Sequence, residues 1–172
     1  MMENSHYADS SVLQIRTLIP LDNQIKKYLS KLIQEYQFRP NTNAIETITQ
    51  SNEIPSLDSE LQTAILNYYA LIERTKEREH ISNTQIQSKY ENHINNYYPE
   101  IFQKDNEWDF VKTFYKNDPR PITPINENKF LLDRPLEALL VSRYFQSSVL
   151  QEYYTDLLES SETILKLLSE ES

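Results

Sequence analysis

The sequence predicts an all-α fold, an elongated antiparallel helical bundle, on three observations. First, steps of four and three from Leu136 reach Leu140, Arg143, Ser147, Leu150, Tyr154, Leu157, Ser161, Ile164 and Leu168. That is an unbroken a/d heptad whose positions are mostly large and apolar, and such a seam needs partner helices along its length. Second, a matching seam runs through Leu61, Ile65, Tyr68 and Ile72, then Ile86, Tyr90, Ile94 and Tyr97. Third, the 172 residues contain no glycine, which tight hairpins and phosphate-binding loops require.

Taken in order, residues 1–8 are polar and read as a disordered, frayed end. Asp9 and Ser10 can cap a short helix carrying Val12, Ile15, Leu18 and Ile19, which Pro20 interrupts. A second helix is expected over 21–38, ending before Arg39-Pro40. Asn43 with Glu46 three residues later forms a capping box and predicts about two turns, to Gln50. A turn follows at 51–55, and Asp58 then caps a long helix with Glu60 in its first turn. That helix should span about 59–97 and stop at Pro99; its polar middle, Glu73 to Ser88, is the place for it to bend outward.

Residues 99–133 read as an irregular, aromatic-rich connection with short helices near 100–104 and 107–116. Asp133, two residues before Pro135, starts the last helix, about 134–169. Each long helix would measure ~55 Å, at ~1.5 Å per residue. Equal lengths on either side of one connection predict an antiparallel pair within a single domain, 1–172.

Composition excludes whole classes of chemistry. Without glycine there is no P-loop, no dinucleotide loop and no nucleophile elbow. Without cysteine there is no disulfide, no thiolate zinc site and no cysteine nucleophile. A formal net charge of −9 with scattered Lys and Arg argues against nucleic acid as a partner and for a solvated acidic surface. No run approaches the ~18 apolar residues of a membrane span, and the start Met1-Met2-Glu3-Asn4-Ser5 lacks signal-peptide character. Tyrosine is abundant, at 12, and suits a thin bundle with much half-buried surface.

Candidate sites are few. Glu77 and His80 form Glu-x-x-His, with Glu73 one turn earlier, which is the spacing of di-iron carboxylate bundles. No second such motif lies on a predicted helix. Arg74, Lys76 and Arg78 between these residues fit ion pairs on a solvated face better, so no metal and no cofactor is expected. His93, near Tyr90, Asn96 and Tyr97, reads as a half-exposed helix histidine without a partner for base catalysis. Asp105, Glu107, Asp109 and Asp118 surround Trp108 but lack the glycine of a calcium loop, so they read as capping and solubilising groups.

The best candidate for a binding surface is Phe102, Trp108, Phe110, Phe114 and Tyr115. The expectation is nevertheless that this segment plugs one end of the bundle as core. Ten large apolar residues between 101 and 130 are many to leave in water. Trp108 should then be buried with its indole N–H bonded. The alternative is an apolar pocket or a docking patch.

Three stretches carry a resemblance: Asn43-Ala44-Ile45-Glu46-Thr47-Ile48, then Ile54-Pro55, then Leu61 to Tyr69 with Ile65, Tyr68 and Tyr69. They resemble a family of uncharacterised Bacteroidota proteins with a pattern close to Asn-x-x-Ala-Tyr-Glu-x-Leu-x-x-Ser-Gly, a turn, then Leu-x-x-x-Ile-x-x-Tyr-Tyr. The likeness covers roughly residues 35–75 and, loosely, the final helix. It departs at Ile45, where the family often has an aromatic, and at Asn52, where it often has glycine. The family places a transmembrane helix before a helical soluble domain, and this chain shows none. It is then either the soluble part of a longer protein or a soluble relative. The resemblance implies display on the periplasmic face of the inner membrane, and no activity.

The function expected from these readings is a non-enzymatic helical interaction domain. It would bind a protein partner or itself, and touch a membrane only through an anchor absent from this chain. The alternative is a sensor-like bundle holding a small ligand near 102–130.

Overall fold

The computed structural model describes residues 2–17, 21, 24–40, 43, 46–47 and 57–170, with side chains described from His6 onward. All regular structure among them is helical. The order is α1 (Met2–Thr17), α2 (Ile25–Lys31), α3 (Ser59–Gln85), a π-helical turn (Ile86–Glu91), α4 (Asn92–Tyr97), a 3₁₀ turn (Pro99–Ile101), α5 (Asp109–Phe114), α6 (Glu127–Leu131) and α7 (Arg134–Glu170). Among the described residues no helix is long and apolar enough to cross a membrane.

The chain divides into two compact units, residues 1–35 with 82–148 and residues 36–81 with 149–172. The first unit has a continuous apolar core. Ala8, Val12 and Ile15 of α1 and Ile25, Leu29 and Leu32 of the next segment meet Tyr90, Ile94, Tyr98, Ile101, Ile125, Phe130, Leu136 and Leu140. In the second unit Tyr36, Leu61, Ile65, Ile72, Leu150 and Leu157 are buried. Within each unit the two long helices run antiparallel. Gln85 meets Ser142 and His93 meets Asp133 in the first. In the second, Glu79 meets Tyr154, and Ser59 and Asn67 share a groove with Ser160 and Leu167.

Both long helices begin as the sequence predicts. Asp58 Oδ1 accepts the Glu60 N–H at 2.9 Å, and Asp133 Oδ1 accepts the Leu136 N–H at 2.9 Å. The first stops after Tyr97, where Tyr98 leaves helical backbone angles before Pro99.

The π-helical turn explains why the seam continues on Tyr98 rather than Tyr97. Ile86, Tyr90, Ile94 and Tyr98 are each at most 1 % exposed, whereas Tyr97 is 50 % exposed. Steps of four drift by roughly 40° each on an α-helix of 3.6 residues per turn. The wider i→i+5 turn absorbs part of that drift and keeps these residues on one face. The polar middle carries the inward face on polar side chains: Thr75, Glu79 and Ser82 are buried. On α7 the seam is buried at Leu136, Leu140, Leu150 and Leu157, half-buried at Ile164 and exposed at Leu168. The expectation of a seam buried to its end is corrected there.

Three other expectations change. The N-terminal turn, read as disordered, is helical from Met2. Ala8 and Val12 are buried, and the Tyr7 ring stacks on Tyr28 at 5.4 Å, so the apolar stripe extends to Tyr7. The helix expected over 21–38 covers Ile25–Lys31 only. Beyond it the backbone bonds to distant side chains instead: Phe38 N–H donates to Glu79 Oε2 at 3.0 Å and the Gln34 carbonyl accepts from Arg143 Nη2 at 3.5 Å. The connection holds one helix more than expected, α6, capped by Asn126 Oδ1 on the Lys129 N–H at 3.0 Å. The break at Pro20 lies outside the described residues, as does most of the short helix after Asn43. Of the latter, Asn43, Glu46 and Thr47 are helical, and Thr47 Oγ1 donates to the Asn43 carbonyl at 2.8 Å.

Candidate functional site

Two places in the first unit gather chemistry-bearing side chains, the aromatic segment and the surroundings of His93. The aromatic segment is held from its base by amides and one lysine. Asn106, 2 % exposed, donates from Nδ2 to the Ile101 carbonyl and accepts the Trp108 N–H on Oδ1, both at 2.8 Å. Gln103 pairs with the backbone of Thr123 through both ends of its amide. Lys104 Nζ donates to the carbonyls of Asp118 and Arg120. With no regular partner strand or helix, these side chains satisfy the loop's backbone.

On that base the five aromatic residues are divided. Phe102 packs against the core and Tyr115 is half-buried. Trp108 is half-buried; its ring stacks on Phe110 at 5.4 Å and lies 6.2 Å from Phe102. Phe110 is 69 % exposed and Phe114 80 %. The expected plug is thereby corrected: Ile101, Val111, Ile125 and Phe130 fill the interior, and the phenyl rings of α5 face water. The indole N–H, expected to be bonded, is enclosed without an acceptor among the described residues.

The carboxylates around Trp108 serve structure. Asp105 pairs with Lys26 at 2.9 Å and Glu107 with Lys27 at 3.3 Å, tying the loop to α2. Asp118 pairs with Arg120 at 2.6 Å; hydrogen bonds from that guanidinium hold its carboxyl at about 2. Glu73 of the Glu-x-x-His stretch pairs with Lys76 at 2.9 Å, while Glu77 and His80 are exposed. Among the described residues no three His, Cys, Asp or Glu side chains cluster to hold a metal.

His93 differs from its sequence reading. Its side chain is only 13 % exposed, and Nε2 lies 2.9 Å from Asp133 Oδ2. The same oxygen accepts the Tyr98 hydroxyl at 2.7 Å. Burial opposes ionisation of Asp133, but the Tyr98 hydroxyl, the Leu136 N–H and His93 outweigh it and hold the carboxyl below its usual range. Burial, reinforced by that carboxylate, pushes the Tyr98 phenol up. Lys129 Nζ sits 4.9 Å from the Tyr98 ring centroid. Asp133 is legible in sequence as a helix cap; nothing local links it to His93, 40 residues away.

Beside His93 opens a cleft of about 580 Å³. One wall comes from Gln85, Lys89, Tyr90, Asn92, His93, Asn96 and Tyr97. The other comes from Pro135, Ala138, Leu139, Ser142 and Arg143 of α7. Ser142 Oγ donates to Gln85 Oε1 at 3.4 Å.

Against family models, curated proteins and solved structures, the chain finds no match.

Proposed function

We propose that this chain is a non-enzymatic helical interaction domain that docks a protein partner through α5. The observation that carries the reading is the exposure of Phe110 at 69 % and Phe114 at 80 % on a helix anchored in the core at Val111. Rings four residues apart on a helix are neighbours, and exposed aromatics grouped on a fixed scaffold are the usual anchors of an interface. Asp109, Lys112 and Lys116 flank them as a charged rim. A convex pair of rings fits a partner that offers an apolar groove. Tethering to a membrane on its periplasmic face belongs to this proposal on the resemblance of residues 35–75 alone.

A second reading, a small ligand held at the segment, is favoured by a cavity of about 390 Å³ lined by Phe102, Gln103, Tyr115 and Arg120. Phe110 and Phe114 lie outside it and would have no part in that role, which makes docking the better account.

The test places a photo-crosslinker at position 114 in the native host. A discrete adduct with one other protein, lost when Phe110→Ala is added, carries the reading. An adduct of twice the chain's mass would replace the partner with a second copy. No adduct would overturn it.

A further inference from the structure

We propose that the cavity lined by Glu100, Phe102 and Tyr115 is a binding site for a small organic ammonium with an apolar or aromatic body. It lies on the same connection as the docking face of α5 but does not depend on it, since Phe110 and Phe114 take no part.

The first argument is a missing partner. Glu100 lines this cavity of about 390 Å³. Its Oε2 is enclosed, and no N–H or O–H among the described residues donates to it. Nothing among them donates to Oε1 either, which lies open. The donors nearby are engaged elsewhere. The Tyr98 hydroxyl goes to Asp133; burial and Asp133 raise that phenol, and the Glu100 charge adds to them. The Gln103 amide is divided between the Glu100 carbonyl and the Thr123 backbone. A partly enclosed carboxylate with neither donor nor ion-pair partner is costly, and a bound cation relieves it.

The second argument is charge. Two cations line the same cavity, but both are engaged. Arg120 meets the Asp118 carboxylate through Nε and Nη2 at 2.6 to 3.0 Å. Lys104 Nζ donates to the carbonyls of Asp118 and Arg120 at 3.2 and 2.8 Å. Glu100 is thereby the one lining charge without a partner among the described residues. With a single open oxygen it suits an ammonium, a point donor, better than the two-pronged fork of a guanidinium. The chain's net charge of −9 draws cations toward it.

The third argument is shape. Pro99, Phe102, Tyr115 and Pro121 supply apolar wall for the body of the guest, and aromatic walls favour an ammonium over a neutral group of the same size. The walls are fixed in place. Gln103 and Lys104 hold the backbone of residues 118–123, and Phe102 packs against the core. A guest therefore enters without having to order the loop.

The experiment titrates the full chain with phenethylamine, charged at neutral pH, and with phenethyl alcohol, its neutral counterpart, following backbone amide shifts by NMR. The amine should give saturable shifts confined to residues 99–104 and 115–123, and the alcohol should bind about tenfold more weakly or not at all. Glu100→Gln keeps the size of the side chain and removes its charge; it should stay folded and weaken the amine about tenfold without changing the alcohol. Tyr115→Ala should weaken both guests. If circular dichroism shows that Glu100→Gln does not fold, the comparison of amine with alcohol on the parent chain decides alone. Absent or scattered shifts, equal affinity for the alcohol, or unchanged amine affinity in either folded variant would overturn the proposal.

Discussion

The hydroxyl of Tyr98 donates to Asp133 Oδ2 at 2.7 Å, joining the residue just past α4 to the residue that opens α7. Asp133 Oδ1 caps Leu136 at the same time, so one carboxylate closes the connection 99–132 and starts the last helix. The aromatic segment is carried within that closed connection, and the His93 cleft stands beside its base.

Replacing this carboxylate should therefore cost more than a cap. Losing the cap is worth about 1 kcal/mol and losing hydrogen bonds to a charged group about 1.5–3 kcal/mol. Asp133→Ala should then lower the unfolding free energy by roughly 2–4 kcal/mol. The sign of the pH dependence follows from the depressed carboxyl. Its stabilisation is present above about pH 4, the range of an unfolded aspartate, and is lost as pH falls through the lower folded value. Urea midpoints of the parent and of Asp133→Asn should differ clearly at pH 7 and draw together as pH falls below the range of an unfolded aspartate. A constant difference across that range would show that ionised Asp133 contributes nothing specific.

In the second unit the buried Glu79 is satisfied from two directions, by the Phe38 N–H and by the Tyr154 hydroxyl. The Phe38 ring meets Tyr154 edge-on at 5.8 Å. Tyr154→Phe keeps that contact and removes one bond to a carboxylate, at a cost of about 1.5–3 kcal/mol. Burial, reinforced by Glu79, raises the Tyr154 phenol. A raised folded value means that its stabilisation is intact below about pH 10 and fades as pH rises beyond. Alkaline unfolding should begin later in Tyr154→Phe than in the parent once their neutral-pH stabilities are matched by temperature. An unchanged neutral-pH stability in Tyr154→Phe would remove Glu79 as its anchor.

The long helices were legible because each carries many turns of seam and a local cap, so register errors at one residue are outvoted by the next. Residues 34–40 were not, since their backbone partners, Glu79 and Arg143, are remote in sequence. The same reason hid the pairing of His93 with Asp133. Helix α6 had a local signal, Asn126 three residues before Lys129, but its five residues are too few for a periodic pattern. In the aromatic segment, composition showed how many apolar residues there were. Which of them face inward depends on Asn106 and Gln103 fixing the loop, and a hydrophobicity pattern does not report that.

The seam of α7 and the face beside it give a graded test. Leu157 is 5 % exposed and Leu165 66 %. Leu157→Ala should cost about 2–5 kcal/mol. Leu165→Ala should stay within about 0.5 kcal/mol, as for other surface positions. Chemical denaturation at low protein concentration measures both. A large loss at Leu165 that grows with protein concentration would show that this face is covered by another copy.

Trp108 reports on the docking face, because it is the sole tryptophan and its ring stacks on the exposed Phe110. A core indole emits at short wavelength and resists quenching; this one, half-buried behind a ring that is itself 69 % exposed, should emit at longer wavelength and be quenched readily by acrylamide. Phe110→Ala uncovers it further, so emission should move to the red and the quenching constant should rise. Stability should change by less than about 0.5 kcal/mol, because Phe110 fills no interior space. Phe130→Ala is the control: that ring is 0 % exposed in the core of the same unit, and its loss should cost about 3–5 kcal/mol. If Phe110→Ala destabilised the chain as much as Phe130→Ala, the rings of α5 would be core after all. If it left stability intact and removed the crosslink at position 114, the energetic role of Phe110 would lie in the interface.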